Sequence, residues 1–232
     1  MSDIPATIDL NPSGQHPEAS VIWMHGLGAD ASDFVPIVEQ FIEHYGILQD
    51  SKVRFVFPQA PIRPITVNNG MRMRAWYDIA ALNLVEKEDE LGIKESSQLI
   101  HTLIERESDL GIPSHKIVLA GFSQGGAMAL YSGLRYPTPL AGIVALSCYL
   151  PLPEVFHQER HLANERISIF MAHGLFDPVV PLMLGQRTKT QLEKLGHPIE
   201  WHTYGMSHTV IPEEIEDIGK FLNRVIQAIH ES

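Results

Sequence analysis

Ile117-Val118-Leu119-Ala120-Gly121-Phe122-Ser123-Gln124-Gly125-Gly126-Ala127 holds two periodicities joined by a turn. Ile117 to Ala120 form a short apolar run rich in strand formers, bounded by Gly121. Beyond the turn, Ala127, Met128, Leu130, Tyr131 and Leu134 recur at helical spacing until Pro137 ends the helix. The turn itself is a G-x-S-x-G between a strand and a helix, the context that gives this motif meaning. A serine at so sharp a bend is forced into an unfavourable backbone conformation, and the flanking glycines let strand and helix pass closely. Its hydroxyl then stands above the sheet, at a helix N-terminus whose partial positive charge favours a developing anion.

Working outward, the same alternation repeats. Val21 to His25 read as a buried strand ending in His25-Gly26-Leu27-Gly28. A helix opened near Ser32 or Asp33 follows, with Phe34, Ile37, Val38, Phe41 and Ile42 on one face. Val53 to Phe57 form a strand halted by Pro58. Residues 61–78 read as irregular, with Ile65-Thr66-Val67 and Met71-Arg72-Met73 flanking Asn68-Asn69-Gly70 as a short hairpin with an Asn-Gly turn. From Glu88, the residues Leu91, Leu99, Ile100, Leu103, Ile104 and Glu107 follow helical spacing, closed by Gly111 and Pro113.

After the central motif, strands are expected at Leu140 to Ser147, Ile167 to Ala172 and Ile199 to Tyr204. Pro151 and Pro153 break the chain behind the first of these, and a helix from about Leu182 to Leu195 precedes the last. Pro212 suits the first turn of a terminal helix, with Glu213 and Glu214 complementing its dipole and a stripe running from Ile215 to Ile229. Strands alternating with helices predict parallel βαβ units, and short continuous apolar strands predict a sheet covered on both faces. No repeat, low-complexity stretch or Gly/Ser-rich linker divides the chain, so residues 1–232 read as a single α/β domain, with 1–19 as an edge strand or extended arm.

Composition narrows the class further. An apolar fraction of 44% and a charged fraction of 19% are those of a globular chain. The formal charge of −11, without a long basic run, disfavours nucleic acid and anionic membrane surfaces as partners. Cys148 is the only cysteine, so no intramolecular disulfide forms, in keeping with a reducing compartment. The polar N-terminus lacks the features of a signal peptide and no apolar run reaches about 18 residues, so the expected address is the cytoplasm.

A serine hydroxyl is a poor nucleophile unless a base takes its proton and a third group orients that base. Asp177 follows the strand ending at Ala172, in a Gly-containing turn. His208 follows the last strand, on the loop before the last helix. Serine, acid and histidine thus occur in an order known for this motif, each at the carboxyl end of a strand. Of the competing histidines, His197 belongs to the turn at the other edge of the sheet, His202 lies within a strand, and His230 near the tail. The amides of Gln124 and Leu27 are the expected oxyanion donors, one beside the nucleophile and one in an HGGG-type loop, with His25 fixing that loop. One cysteine, no H-E-x-x-H and no phosphate-binding glycine loop leave no metal or cofactor expected.

Several motifs are more specific than G-x-S-x-G. His25-Gly26-Leu27-Gly28-Ala29-Asp30, Arg74-Ala75-Trp76-Tyr77-Asp78, Gly121 to Ala127, His173-Gly174 with Asp177-Pro178-Val179-Val180-Pro181, and Ser207-His208 together resemble the carboxylesterase / acyl-protein thioesterase family. The resemblance runs from about Val21 to the last helix. It implies an α/β-hydrolase fold without a large cap domain, Ser123, Asp177 and His208 as a triad, and Leu27 and Gln124 as oxyanion donors. It further implies cleavage of carboxylic esters of short to medium acyl chains, and in some members of protein thioesters or lysophospholipids. Family members often form homodimers. The segment 64–77 corresponds to a loop beside the active site, so Met71, Met73 and Trp76, with Phe176, are the expected substrate-binding groups. Arg63, Arg72 and Arg74 give that segment a positive cluster suited to transient lipid contact, as a mobile flap or as a loop pinned by Trp76. A peptidase or lactone hydrolase on the same fold, or a binding protein that kept the fold without turnover, are the alternative readings.

Overall fold

A computed structural model describes residues 4–43, 48, 52–81, 83–84 and 86–227. Its centre is a seven-stranded sheet in the order β1-β3-β2-β6-β7-β8-β9. The strands are β1 (Thr7–Leu10), β2 (Ala19–Met24), β3 (Val53–Pro58), β6 (Ile117–Phe122), β7 (Gly142–Leu146), β8 (Ile169–Gly174) and β9 (Ile199–Tyr204). Every neighbouring pair is parallel except β1–β3, where the N-terminal arm closes one edge as an antiparallel strand. The second, smaller sheet is a hairpin of β4 (Ile62–Ile65) and β5 (Met71–Arg74).

Alternation along the strands feeds two cores. Ile22 and Met24 of β2 face helices α2 (Glu90–Asp109), α3 (Gln124–Gly133) and α5 (Leu182–Lys194), whereas Val21 and Trp23 face α1 (Val35–Glu43) and α6 (Pro212–Gln227). Both faces of the sheet are therefore covered, which is why its strands read as continuous apolar runs rather than alternating ones. The order of strand addition reverses between β2 and β6: after β2 the chain moves outward to β3, then returns to the other side of β2 as β6. The crevice beyond the carboxyl ends of such a pair is where open α/β sheets bind ligands. Among the described residues no large cap covers it.

Some expectations change. Thr66 and Val67 are not strand residues: the Thr66 amide and hydroxyl donate to Asp78, and the Val67 amide to the Ile79 carbonyl. With those donors turned away, Ile65 rather than Val67 faces Met71, and a five-residue connection ends on Asn69 and Gly70, both at positive φ. Leu91 is 69% exposed, and Ile93, Ser96 and Ser97 take its share of the buried face of α2. Pro153 opens a short helix, α4 (Pro153–Glu159), instead of breaking the chain, because proline suits a first helical turn. Ile229 and His230 lie outside the described residues.

Candidate active site

Ser123 links β6 to α3 with φ 55° and ψ −122°, a conformation that a non-glycine residue holds only under structural constraint. The constraint is visible around it. The Ser123 amide donates to the Leu146 carbonyl of β7, and its carbonyl accepts from Ala127 in the first turn of α3. A Cβ on Gly121 would stand 2.3 Å from Gly125 backbone, and one on Gly125 would stand 2.2 Å from the Met24 carbonyl oxygen. Strand, turn and helix thus touch through glycines, and the serine side chain is aimed out of the sheet edge.

His208 lies on the loop after β9 and reaches back over Ser123. Its Nε2 is 2.9 Å from Ser123 Oγ and its Nδ1 is 2.6 Å from Asp177 Oδ2. The Phe122 ring packs against the imidazole, centroids 4.7 Å apart. The other oxygen of Asp177, Oδ1, accepts the amides of Val179 and Val180 at 2.8 and 2.9 Å. With the carboxylate accepting at Nδ1, the imidazole carries its proton there and presents Nε2 as an acceptor to the serine. The structure therefore brings together Ser123, His208 and Asp177 in one hydrogen-bonded series.

The other histidines sit elsewhere. His25 donates from Nδ1 to the Gly26 carbonyl at 2.7 Å and accepts the Ala60 amide at Nε2, which ties the loop after β2 to the segment after β3. Burial holds its pKa below the usual value, so it stays neutral in that role. His202 is stacked between Phe170 and Tyr204 and lies near Glu200 and Asp217. His197 is buried on the turn before β9, and burial pushes its pKa down to about 4.

Leu27 and Gln124 follow the carboxyl ends of β2 and β6, the neighbouring strands between which the order of strand addition reverses, and both line the cavity with Ser123. Neither backbone amide donates to a protein acceptor among the described residues. The Gly28 amide donates to the Arg74 carbonyl, which anchors this loop to the end of β5. Gln124 also acts through its side chain, a role the sequence reading missed: Oε1 accepts the Trp76 amide and Nε2 donates to the Tyr77 carbonyl.

A cavity of about 740 Å³ opens over Ser123 and extends to both sides of the sheet. One arm, on the α2/α3 side, is lined by Val67, Tyr77, Ile79, Leu84 and Tyr149; the other, on the α1/α6 side, by Phe34, Pro36, Ile37, Gln40, Val210 and Ile215. The expected substrate-binding groups are not among these. Trp76 has no exposed surface: its indole donates to the His25 carbonyl and its own carbonyl accepts the Ser96 hydroxyl. Met71 and Phe176 are 64% and 72% exposed and form no part of the cavity lining, and Met73 is half-buried against the core. The hairpin contributes to the wall through Val67, whose amide is held by Ile79, and not through its methionines. Tyr77, by contrast, was within the R-x-W-Y-D motif; alternation from buried Trp76 gave no sign that it faces a cavity.

A parallel sheet with serine, histidine and carboxylate in series at its carboxyl edge defines an α/β-hydrolase of the serine type. The chain belongs to the phospholipase/carboxylesterase family, whose sequence profile matches residues 7–226. It is 42% identical to acyl-protein thioesterase 1 of Mycosarcoma maydis over 237 residues, 96% of this chain and 98% of that one. It is also similar to the crystal structure of Arabidopsis thaliana SOBER1, at 30% identity and a TM-score of 0.82 over 90% of this chain and 99% of that one. For Zea mays acyl-protein thioesterase 2 the identity is 26% and the TM-score 0.81, over 96% and 99% of the two chains. The protein is thus an enzyme, a serine hydrolase acting on ester bonds.

Among the described residues, no group of three histidine, cysteine or acidic side chains is arranged to hold a metal ion, and no helix is long and apolar enough to cross a membrane.

Proposed function

We propose that Ser123 is the nucleophile, His208 the base and acid, Asp177 the group that orients His208, and the Leu27 and Gln124 amides the oxyanion donors. The observation carrying this reading is the position of His208, in hydrogen-bond reach of Ser123 at one nitrogen and Asp177 at the other. His208 takes the hydroxyl proton as Ser123 Oγ attacks the acyl carbon, and returns it to the leaving oxygen or sulfur as that bond breaks. Water then enters and attacks the acyl carbon as His208 takes its proton, and His208 passes that proton to Ser123 Oγ as the acyl–oxygen bond breaks and the acid leaves. Each oxyanion donor contributes ~3 kcal/mol to lowering the barrier.

The direction of the two arms follows from proton delivery. The leaving group must depart beside His208 Nε2, and His208 is followed by Thr209 and Val210 on the α1/α6 side. The acyl chain therefore takes the α2/α3 arm. An apolar arm of this kind suits carboxylic esters of short to medium acyl chains, and the similarity to acyl-protein thioesterases extends the proposed substrates to S-acylated proteins and lysophospholipids. The chain acts as one domain in the cytoplasm, with Met71 and Arg72 at the exposed hairpin as a transient lipid contact and a homodimer as its assembly. A non-catalytic binding protein is disfavoured by the filled and hydrogen-bonded triad positions.

The test combines stoichiometric labelling by a fluorophosphonate with turnover of p-nitrophenyl esters. Ser123→Ala abolishes both, and retained turnover overturns the assignment. A series of ester chain lengths run beside an S-acylated peptide then fixes the substrate: a peak at short esters with no peptide cleavage assigns a small-molecule esterase.

A further inference from the structure

We infer that His173 is a positioning residue of this enzyme, holding the turn that aims Asp177 at His208. The inference rests on the reading of Ser123, His208 and Asp177 as the catalytic series. His173 lies near the end of β8, four positions before Asp177, and is buried. Its Nε2 is 2.8 Å from the Val180 carbonyl oxygen, an acceptor only, so Nε2 carries the proton and donates. The amide of the same Val180 donates to Asp177 Oδ1. Val180 is therefore gripped on both sides, by the carboxylate it positions and by an imidazole fixed in the sheet.

The imidazole is held rigidly enough to act as that anchor. A Cβ on Gly185 of α5 would stand 2.6 Å from His173 Nδ1, so the absence of a side chain there makes room for the ring. Trp201 of β9 stacks on it at 6.4 Å between centroids. His173 Nε2 also lies 3.7 Å from Asp177 Oδ2, the oxygen that receives His208. A charged imidazolium at that distance would compete with His208 for the carboxylate. Burial keeps the His173 pKa below its usual value, so the ring is neutral and offers only a dipole, leaving the charge of Asp177 to His208.

The direction of His173 matters as well. β8 delivers residue 173 inside the sheet, whereas the Asp177 turn lies beyond it and lines the cavity through Pro178, Val179 and Val180. A turn at a cavity mouth would otherwise be free to rotate its carboxylate, and a displacement of about 1 Å at such a group costs roughly a hundredfold in rate. His173 thus couples the sheet to the acid without touching substrate.

The experiment compares His173→Leu with His173→Gln. The Gln side-chain nitrogen lies the same number of bonds from Cβ as imidazole Nε2, so it can donate to the Val180 carbonyl; leucine cannot. Expected for His173→Leu is a fall in kcat of about ten- to a hundredfold with KM little changed. The downfield proton resonance of the short His208–Asp177 hydrogen bond moves upfield or broadens in the same variant. His173→Gln restores most of both. Thermal unfolding and fluorophosphonate labelling of each variant establish that a folded site is compared.

A folded His173→Leu enzyme with unchanged kcat and an unchanged downfield resonance overturns the inference. Equal losses in the leucine and glutamine variants do so too, since they assign His173 to packing alone. Ser123→Ala is run in parallel. Turnover surviving in that variant refutes the catalytic reading itself, whereas a dead Ser123→Ala beside a fully active His173→Leu refutes only the role of His173.

Discussion

The Gln124 side chain accepts the Trp76 amide proton at 2.7 Å, across 48 positions of sequence, and its own amide nitrogen donates to the next carbonyl, that of Tyr77. The residue after Ser123, proposed above as an oxyanion donor through its backbone, therefore gives its side chain to the cavity wall. The wall and the serine turn are in this way one rigid unit, and Trp76 serves as its pin: amide to Gln124, indole to His25, carbonyl to Ser96.

Gln124→Leu conserves volume but leaves the Trp76 amide and the Tyr77 carbonyl without those partners in a buried place. Each orphaned group costs about 1–3 kcal/mol, so the melting temperature falls clearly in calorimetry. Because Tyr77 lines the arm proposed for the acyl chain, kcat/KM is expected to fall more for long esters than for acetate esters. An unchanged melting temperature would show that the wall is held by other contacts.

The arm proposed for the acyl chain carries polar groups in its lining. Tyr77 and Tyr149 hydroxyls are 3.3 Å apart, and the Tyr149 hydroxyl donates to the Leu84 carbonyl. Behind them Glu88 accepts the Leu152 amide at the start of α4. Removing the ring in Tyr149→Ala lengthens the arm, and two further buried methylenes at ~0.8 kcal/mol each raise kcat/KM for longer esters about tenfold relative to short ones. Tyr149→Phe keeps the ring and leaves the chain-length profile in place. A profile identical in wild type and Tyr149→Ala would move the end of the acyl arm elsewhere.

Gly125→Ala tests the close approach at the turn. The new Cβ would lie 2.2 Å from the Met24 carbonyl oxygen and 2.6 Å from that of His25, both backbone atoms that cannot swing aside. Helix α3 has to move off β2, which separates Ser123 from the Leu27 loop. Expected are a loss of about 3 kcal/mol in stability and roughly a hundredfold in kcat, read by denaturant titration and ester turnover. Gly126→Ala meets Gly121 oxygen at 2.8 Å and is the milder variant.

The serine turn was legible in the sequence because its signal is local: Gly121 and Gly125 have a steric reason to flank Ser123, which is held in a strained conformation between them. Asp177 and His208 were legible because parallel βαβ units place every strand's carboxyl end at one edge. The cavity wall was not. Trp76 and Tyr77 are adjacent and both buried, and only the long-range bonds of Gln124, His25 and Ser96 decide which of them faces the cavity. The hairpin register was obscured for a similar reason, since Asp78 takes the donors of Thr66 and no periodicity reports that. The edge strand β1 is four residues of ordinary character, fixed by its pairing with β3.

Stability should depend on pH through buried acids and histidines of opposite sign. Glu214 is buried near the start of α6, and burial raises its pKa from 4.5 to about 8. Between those values the folded chain keeps a proton that the unfolded chain releases, so the Glu214 contribution to stability is greatest below pH 4.5 and falls as pH rises to about 8. The full range corresponds to roughly 3–5 kcal/mol. Glu88, raised by burial to about 7, acts in the same direction up to that pH. His197, lowered to about 4, acts oppositely: the unfolded chain takes up a proton first as pH falls below 6.5, so its contribution is lost through pH 4. The two trends oppose one another between pH 4.5 and 6.5, and Glu214 alone of these three acts between pH 7 and 8. Glu214→Gln, which has no proton to release, should therefore flatten the fall in melting temperature between pH 7 and 8 and stand above wild type at pH 8.5. Parallel curves for the two proteins across that window would show that Glu214 is ionised at neutral pH in the folded chain.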